Sequence, residues 1–328
     1  MLTTKNETRR QVKDMNNPQK LIKDIQENIE KVIVGKSEVI RLIIIALLAG
    51  GHVLIEDVPG VGKTTLVSCL AKSLNLSFKR IQFTPDILPS DITGFTMYNF
   101  KTGEMEFKPG MIMSQVILAD EINRTSPKTQ ASLLEVMEER QVTVDGKTYP
   151  VPQPFIVLAT QNPIEYIGTF PLPEAQLDRF FIKVSIGYPT KREEMFILSR
   201  FQTQNPLDDL KPVADAQQIL ELQHQVRHIH VAEAIKEYIA ELVACTREHR
   251  DLTLGASPRG AIALMRASQA YALLEGRDYV IPDDVQKMVI PVLSHRLILK
   301  PEARLKEMTA ERILRSILNS VYVPVIGL

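Results

Sequence analysis

Disulfide chemistry, membrane insertion and a one-signed surface all find little support in this sequence. Its 328 residues include two cysteines, Cys69 and Cys245. They lie far apart in apolar helical patterns and read as small buried hydrophobes rather than redox or metal-binding groups. Lys and Arg together number 39, as do Asp and Glu together. No overall field therefore draws the chain to nucleic acid or to an anionic membrane. The longest apolar run, Leu42 to Ala49, is bracketed by Arg41 and Gly50-Gly51-His52 and is too short for a membrane span. It reads as a buried helix packed on a sheet. The N-terminus carries Lys5, Glu7, Arg9 and Arg10 with no apolar core behind them, so no secretory signal is read and a cytoplasmic protein is expected. Neither an internal repeat nor a low-complexity tract stands out. With 45% apolar and 24% charged residues, the chain has the profile of a soluble globular protein, and its length suggests about two domains.

What the sequence does contain is concentrated first in Leu54-Ile55-Glu56-Asp57-Val58-Pro59-Gly60-Val61-Gly62-Lys63-Thr64-Thr65, an apolar strand running through a glycine-bearing loop into a helix. Pro59, Gly60, Val61, Gly62, Lys63, Thr64 and Thr65 form the candidate phosphate cradle. Gly60 and Gly62 let backbone N–H groups turn inward without a Cβ in the way. Lys63 can reach the β and γ phosphates of a nucleoside triphosphate, and the Thr64 hydroxyl can ligate Mg²⁺. The following helix, carrying Leu66, Val67, Leu70 and Ala71, aims its positive N-terminus at the same anion. One position departs from the pattern G-x-x-x-x-G-K-[ST]: Asp57 stands where the first glycine belongs. An ordinary glycine-rich turn with an incidental Lys is the duller reading, and the flanking strand and helix favour the phosphate loop.

Around this loop the pattern alternates. Residues 1–18 are polar and read as a loose arm ending at Asn16-Asn17-Pro18. Leu21, Ile25, Ile29 and Val32 follow helical spacing, Val34-Gly35-Lys36 interrupts, and Val39 to Leu48 begin another helix. Strands are expected at His52 to Ile55, Phe78 to Phe83, Val116 to Leu118, Phe155 to Ala159 and Phe180 to Ile186. Strands interleaved with helices argue an α/β fold, a parallel sheet covered by helices on both faces. Two further stretches, Met97 to Phe107 and Gln141 to Pro150, read as β-hairpin insertions, the second turning on Asp145-Gly146. Beyond Gly187-Tyr188-Pro189 strand signals stop. Helices are expected at Ala214 to Val226, Ala232 to Arg247, Pro258 to Leu274, Pro282 to His295 and Leu305 to Asn319. The domain reading is an arm at 1–18, a nucleotide-binding domain at 19–189 and a helical lid at 190–328.

The phosphate loop alone does not separate kinase, GTPase and motor. Val116-Ile117-Leu118-Ala119-Asp120-Glu121 is an apolar strand ending in adjacent acids. Asp120 is placed to hold Mg²⁺, directly or through water, and Glu121 to act as general base on the attacking water. Asn162 closes the next strand within Thr160-Gln161-Asn162, where its amide can hold that water and sense the γ phosphate. A bare turn at Asn162-Pro163 is the alternative.

Together these motifs resemble the AAA+ ATPases, and within them the MoxR family. The carrying residues are Glu56 to Thr64, Asp120-Glu121-Ile122-Asn123-Arg124 with Ser126-Pro127-Lys128-Thr129-Gln130, Ala159 to Pro163, Phe170 to Phe180, and Gly255-Ala256-Ser257-Pro258-Arg259, in order over roughly residues 33–300. The resemblance implies an ATPase with ATP and Mg²⁺ as cofactors, an AAA+ core with two hairpin insertions, and an all-helical lid. It implies that Asn162 is sensor 1, that Arg259 is sensor 2 on its own subunit's γ phosphate, and that Arg179 is an arginine finger reaching a neighbour's ATP. Such a guanidinium neutralises charge developing in phosphoryl transfer. Val34 and Gly35 would border the adenine pocket. Arg124 could also face the subunit interface, and sequence does not choose between Arg124 and Arg179. The duller readings are a surface ion pair for Arg179 and a helix-covering stem for Arg259. The resemblance further implies a homo-oligomeric, hexameric ring with chaperone-like work in assembly, maturation or metal and cofactor insertion of a client complex, often with a von Willebrand factor A domain partner. Two rivals are a nucleic-acid motor, disfavoured by the mixed charge of the hairpins (Lys101 and Lys108 against Glu104 and Glu106, Lys147 against Asp145), and a nucleotide-gated binding module, disfavoured by Glu121.

Overall fold

The chain is described here from a computed structural model, which covers residues 17–162, 168–202 and 205–325. Of the loose arm expected at 1–18, residues 1–16 lie outside the described residues, while Asn17 and Pro18 already belong to the start of a helix. Helix α1 (Pro18–Glu30) starts where Asn17 accepts the Gln19 N–H at 3.1 Å and where Pro18, lacking an N–H, fits the first turn. It buries Ile22, Ile25 and Ile29. After α2 (Ser37–Ala49) the chain alternates: β1 (Val53–Glu56), α3 (Lys63–Ser73), β2 (Phe78–Gln82), α4 (Pro89–Thr93), β3 (Gly94–Asn99), β4 (Glu104–Pro109), β5 (Val116–Asp120), α5 (Pro127–Glu139), β6 (Gln141–Val144), β7 (Lys147–Pro150), β8 (Ile156–Gln161), α6 (Glu174–Leu177) and β9 (Ile182–Val184).

Five strands form one sheet in the order β2-β5-β8-β1-β9, every neighbouring pair parallel. Side chains alternate across it. Val53, Ile55, Val116, Leu118, Ile156 and Leu158 join the apolar cluster with α1, α2 and α3, whereas Leu54, Ile117, Ala119, Val157 and Ala159 join the cluster on the other face. Covering both faces is what makes these strands continuously apolar, and each fully buried Leu, Ile or Val contributes roughly 1.5–3 kcal/mol.

The two hairpins form as expected, each its own antiparallel pair outside the central sheet. Asp145 and Gly146 both take positive φ, 49° and 77°, as a two-residue hairpin turn requires. The hairpins lean on one another: the Phe107 and Tyr149 rings stack with centroids 3.9 Å apart, and Thr96 Oγ1 donates to the Asp145 carboxylate. Phe100, at the tip of the first, is 90% exposed.

Beyond the sheet come α7 (Lys191–Phe201), α8 (Ala216–His228), α9 (Glu233–Glu248), β10 (Leu252–Leu254), α10 (Pro258–Leu274), α11 (Pro282–Leu293), β11 (Ile298–Leu299), α12 (Pro301–Leu305) and α13 (Ala310–Ser320). This helical lid contains one addition, the short antiparallel ladder of β10 and β11. Its strands are too short for periodicity to register. Two helices also differ from expectation. The Leu305 to Asn319 helix begins only at Ala310, because Glu307 turns to φ 55° and Thr309 caps the Arg312 N–H. The helix expected to reach His295 ends at Leu293 and tightens into a 3₁₀ turn over Ser294–Arg296. Cys69 is fully buried as expected, and burial pushes its thiol up to about 12. Cys245, by contrast, is only partly buried, lying 3.8 Å from Glu241 Oε1, and burial again raises its thiol.

His52 fixes the N-terminal end of β1. One ring nitrogen meets Met137 O at 2.9 Å, the other accepts the Val157 N–H at 3.0 Å, and Phe155 packs edge-on. The imidazole is neutral, since burial lowers its pKa to about 4. A lowered folded value means that the unfolded chain takes up the proton first, so stability is lost as pH falls from about 6.5 toward 4. The expected contribution of His52 is a loss of about 2 kcal/mol between pH 7 and pH 5, checked by urea unfolding at both values. His52→Gln should flatten that difference by about the same amount, with the buried His295 left to act in the same direction in both proteins.

Candidate functional site

Because all five strands are parallel, their C-terminal ends share one edge, and the candidate residues that follow β1, β5 and β8 meet there. Gly60 and Gly62 take φ of 83° and 86°, a conformation that disfavours side chains, and open space faces both positions where a Cβ would be. That open space is a cradle for an anion. Lys63 opens α3 and donates to Asp57 O and Val58 O, each at 3.2 Å, so its ammonium folds over the loop. Lys63, Thr64, Thr65, Asp120, Glu121 and Asn162 line one cleft of about 380 Å³. An apolar pocket of about 200 Å³ adjoins it, shares Gly60, Gly62 and Thr65, and is walled by Val34, Ile186, Ile197 and Phe201. A polar cleft joined to an apolar slot suits a polyphosphate carrying a flat base. Gly35 lies between Val34 and Lys36, which line that slot, and a Cβ at Gly35 would collide with the carboxylate of Glu193 of α7.

Asp57 occupies the missing-glycine position for a reason visible only in three dimensions. It is 7% exposed, and its Oδ2 accepts the N–H groups of Ile186 at 2.5 Å and Gly187 at 2.8 Å and the Ser185 hydroxyl at 3.3 Å. The carboxylate thus ties the start of the phosphate loop to the segment leaving β9, where Ile186 walls the apolar slot. Charge-assisted bonds to backbone N–H groups are among the stronger ones available.

The acid pair is held by neighbours that the sequence reading missed. Asp120 Oδ1 accepts from Thr160 Oγ1 at 2.6 Å, and Oδ2 accepts from Arg80 Nη2 at 2.6 Å. Glu121 has φ 58°, its N–H donates to Thr160 Oγ1 at 2.9 Å, and its carboxylate accepts from Gln82 at 2.9 Å and from Arg124 at 3.0 Å. Arg80 and Gln82 stand two apart on β2 and so share a face. Two polar side chains alternating at the end of the sheet's edge strand β2 were the available signal. Arg124 therefore lies on its own chain's Glu121.

The donor set fits a nucleotide with Mg²⁺: the Thr64 hydroxyl and the Asp120 carboxylate are hard oxygen donors beside an open backbone cradle. Among the described residues no cluster of three His, Cys, Asp or Glu forms a separate metal cage. Mg²⁺ in nucleotide sites needs none, since phosphate and water supply its other ligands.

Arg179 and Arg259 are not brought to this cleft. Both meet Glu138, near the end of α5: Arg179 Nε lies 3.4 Å from Oε2, and Arg259 Nη2 donates to Oε1. This is the opposite edge of the sheet. Met137 touches His52 just before β1, and Phe181, two residues after Arg179, donates its N–H to His52 O at 2.8 Å. The four residues of β1 alone put about 13 Å between the edges. In this structure Arg259 thus lies on Glu138 and not at its own subunit's phosphate loop. Arg259, in the first turn of its helix, reaches the end of α5 through this side-chain bond.

A parallel sheet with a phosphate loop after its interior strand β1, an acid pair at the end of β5 and a helical lid defines an AAA-type P-loop ATPase. The model of the ATPase family associated with various cellular activities (AAA) matches residues 52–182, and that of the AAA lid domain matches residues 244–317. YeaC of Bacillus subtilis is 56% identical over 91% of this chain and 93% of its own. Chaperone MoxR1 of Mycobacterium tuberculosis is 40% identical over 90% of this chain and 80% of its own. Protein MoxR of Methylorubrum extorquens is 32% identical over 90% and 92%. A crystal structure of a candidate ATPase from Cytophaga hutchinsonii superposes with a TM-score of 0.89 at 39% identity, covering 97% of this chain and 99% of that one. The chain belongs to the MoxR family of AAA+ ATPases.

The bonds of Asp57 generate a test against simple motif matching. Asp57→Gly restores the missing glycine, yet it should lower the unfolding free energy by about 2 kcal/mol, because four donors around the loop, the N–H groups of Val58, Ile186 and Gly187 and the Ser185 hydroxyl, lose their acceptor. Nucleotide affinity should fall about tenfold in a fluorescent-nucleotide titration. Unchanged or tighter binding would show that the carboxylate does not shape the loop.

Proposed function

We propose that this ATPase works as a hexameric ring in which each nucleotide site is completed by the next subunit. The observation that carries this reading is the placement of Arg179 and Arg259 together on Glu138, at the edge away from their own phosphate loop. Two guanidiniums converging on one carboxylate form a site for an anion, and the γ phosphate of a neighbour's ATP is such an anion. Arg259 then acts in trans beside Arg179, and Arg124, bound to its own Glu121, stays in cis.

Within one subunit the loop N–H groups and Lys63 bind the phosphates, while Val34, Ile186 and Phe201 receive the base. Thr64 and Asp120 would hold Mg²⁺, whose charge stabilises the phosphates during transfer. Glu121 takes the proton of the attacking water, and Asn162 orients that water. The arginines of the neighbour neutralise charge on the transferring group, an effect worth about 10³–10⁵ in rate for arginine fingers. Hydrolysis is thereby tied to assembly.

The work done is chaperone-like remodelling in the assembly, maturation or metal and cofactor insertion of a client complex, with a von Willebrand factor A domain protein as partner, in the cytoplasm. Support comes from the family and from the relative named chaperone MoxR1. Among the described residues no helix is long and apolar enough to cross a membrane. The hairpins do not offer a basic surface for nucleic acid, since Lys108 lies 3.3 Å from Glu106 and Asp145 accepts from Thr96.

Mixing inactive subunits tests the shared site. Lys63→Ala, Arg179→Ala and Arg259→Ala should each lower turnover by about a hundredfold or more. An equal mixture of Lys63→Ala with either arginine variant should recover about a quarter of the wild-type rate, because a competent site needs one subunit of each kind. A mixture of Lys63→Ala with Arg259→Ala that stays inactive would return Arg259 to its own subunit's site.

A further inference from the structure

Arg179 and Arg259 come from different parts of the chain, one just before β9 and the other at the start of α10, yet a single half-buried carboxylate links the two segments. Asp178, the residue before Arg179, accepts from Ser257 Oγ at 2.8 Å and from Arg296 Nε at 2.7 Å. Ser257 is the N-cap of α10, its oxygen also accepting the Gly260 N–H at 3.3 Å, so Arg259 rides on the turn that this hydroxyl closes. Arg296 sits in the 3₁₀ turn after α11, with its side chain 2% exposed. Its guanidinium donates to Phe180 O at 2.6 Å and to Phe181 O and Asp178 O at 3.3 Å, spanning the strand start that carries Arg179. Gly260 leaves room for the Arg296 stem, which would lie 3.1 Å from a Cβ there.

This is more than a stability device would need. A buried ion pair contributes little net stability compared with apolar residues of similar size, because desolvation offsets the attraction. What the network does supply is geometry, fixing two guanidiniums from distant segments onto one anion-sized target. Ser257 and Arg296 both belong to the helical lid, whereas Arg179 belongs to the core.

We propose that Asp178 is a positioning residue that makes Arg179 and Arg259 one unit, so that the lid of each subunit sets the arginine geometry presented to its neighbour's nucleotide. The proposal rests on the trans reading above. Asp178 touches no nucleotide and acts through the two arginines. A displacement of about 1 Å in such a pair is enough to cost a large factor in rate.

The test is Asp178→Asn, with Ser257→Ala as a milder change to the same link. Alone, Asp178→Asn should bind fluorescent ATP analogue within about twofold of wild type, since its own phosphate loop is intact, while kcat falls at least about tenfold. Mixed with Lys63→Ala, it should recover to the level of the Arg179→Ala plus Lys63→Ala mixture, because the Lys63→Ala neighbour supplies correctly held arginines. Mixed with Arg179→Ala, it should gain nothing, both variants lacking the same function. A merely structural role would damage the subunit's own site as well and give no recovery with Lys63→Ala. If Asp178→Asn does not fold, Ser257→Ala carries the same set of mixtures. Wild-type turnover by the folded variant, or no recovery with Lys63→Ala while the Arg179→Ala control recovers, overturns the proposal. Failure of that control instead overturns the trans reading on which it rests.

Discussion

Parallel pairing of five strands is the constraint from which the rest of this molecule follows. It gathers the residues after β1, β5 and β8 at one edge and those before β9 at the other. Phosphate chemistry belongs at the first edge because strand C-termini and the N-terminus of α3 converge there. Arg179 falls at the second because it precedes β9, and Arg259 joins it there through Glu138 at the end of α5. In the proposed ring a single subunit would hold both halves of a nucleotide site and offer one of them to its neighbour.

The loop at the first edge needs anchoring, because a glycine-rich cradle has high conformational entropy to lose on ordering. Asp57 meets that need by accepting from two backbone N–H groups beyond β9, and Lys63 closes over two loop carbonyls. Thr160 does the same for the acids, donating to Asp120 and accepting from the Glu121 N–H with one hydroxyl. Each of these residues adds a bond between adjacent strands or loops, so the floor of the cleft is held before any ligand arrives. This pre-ordering is what electrostatic catalysis requires.

Local features were readable and long-range ones were not. The phosphate loop, the acid pair, the five strands and both hairpins announce themselves within windows of ten residues, through glycines, apolar runs and an Asp-Gly turn. Arg80 and Gln82 act on Asp120 and Glu121 only because β2 pairs with β5, a neighbour about forty residues away. Arg259 was expected at its own phosphate loop because its motif names a role but not an edge. Its position is fixed by contacts of α10 with residues more than a hundred positions away, such as Glu138. Asp57 looked like a defect for the same reason, its partners Ile186 and Gly187 being invisible to any local pattern. The break at Glu307 reflects a cap at Thr309 that competed with an apolar periodicity continuing across it.

Charge gives the two edges a common dependence on nucleotide. At the cleft, Lys63, Arg80 and Arg124 stand against Asp120 and Glu121, Asp57 being turned away into its backbone bonds. At the other edge Arg179 and Arg259 share the single carboxylate of Glu138. Both surfaces thus carry surplus positive charge, and in the proposed ring they face one another. Like charges brought together in a partly desolvated interface repel. In that ring a polyphosphate between them would reverse the sign of the interaction, since both sets of cations could share its anionic oxygens. Glu138 pairs with both arginines within one subunit, and on the trans reading a neighbour's γ phosphate would displace it. Assembly and hydrolysis then answer to one ligand because the same anion that binds the loop is the one that draws in the arginines.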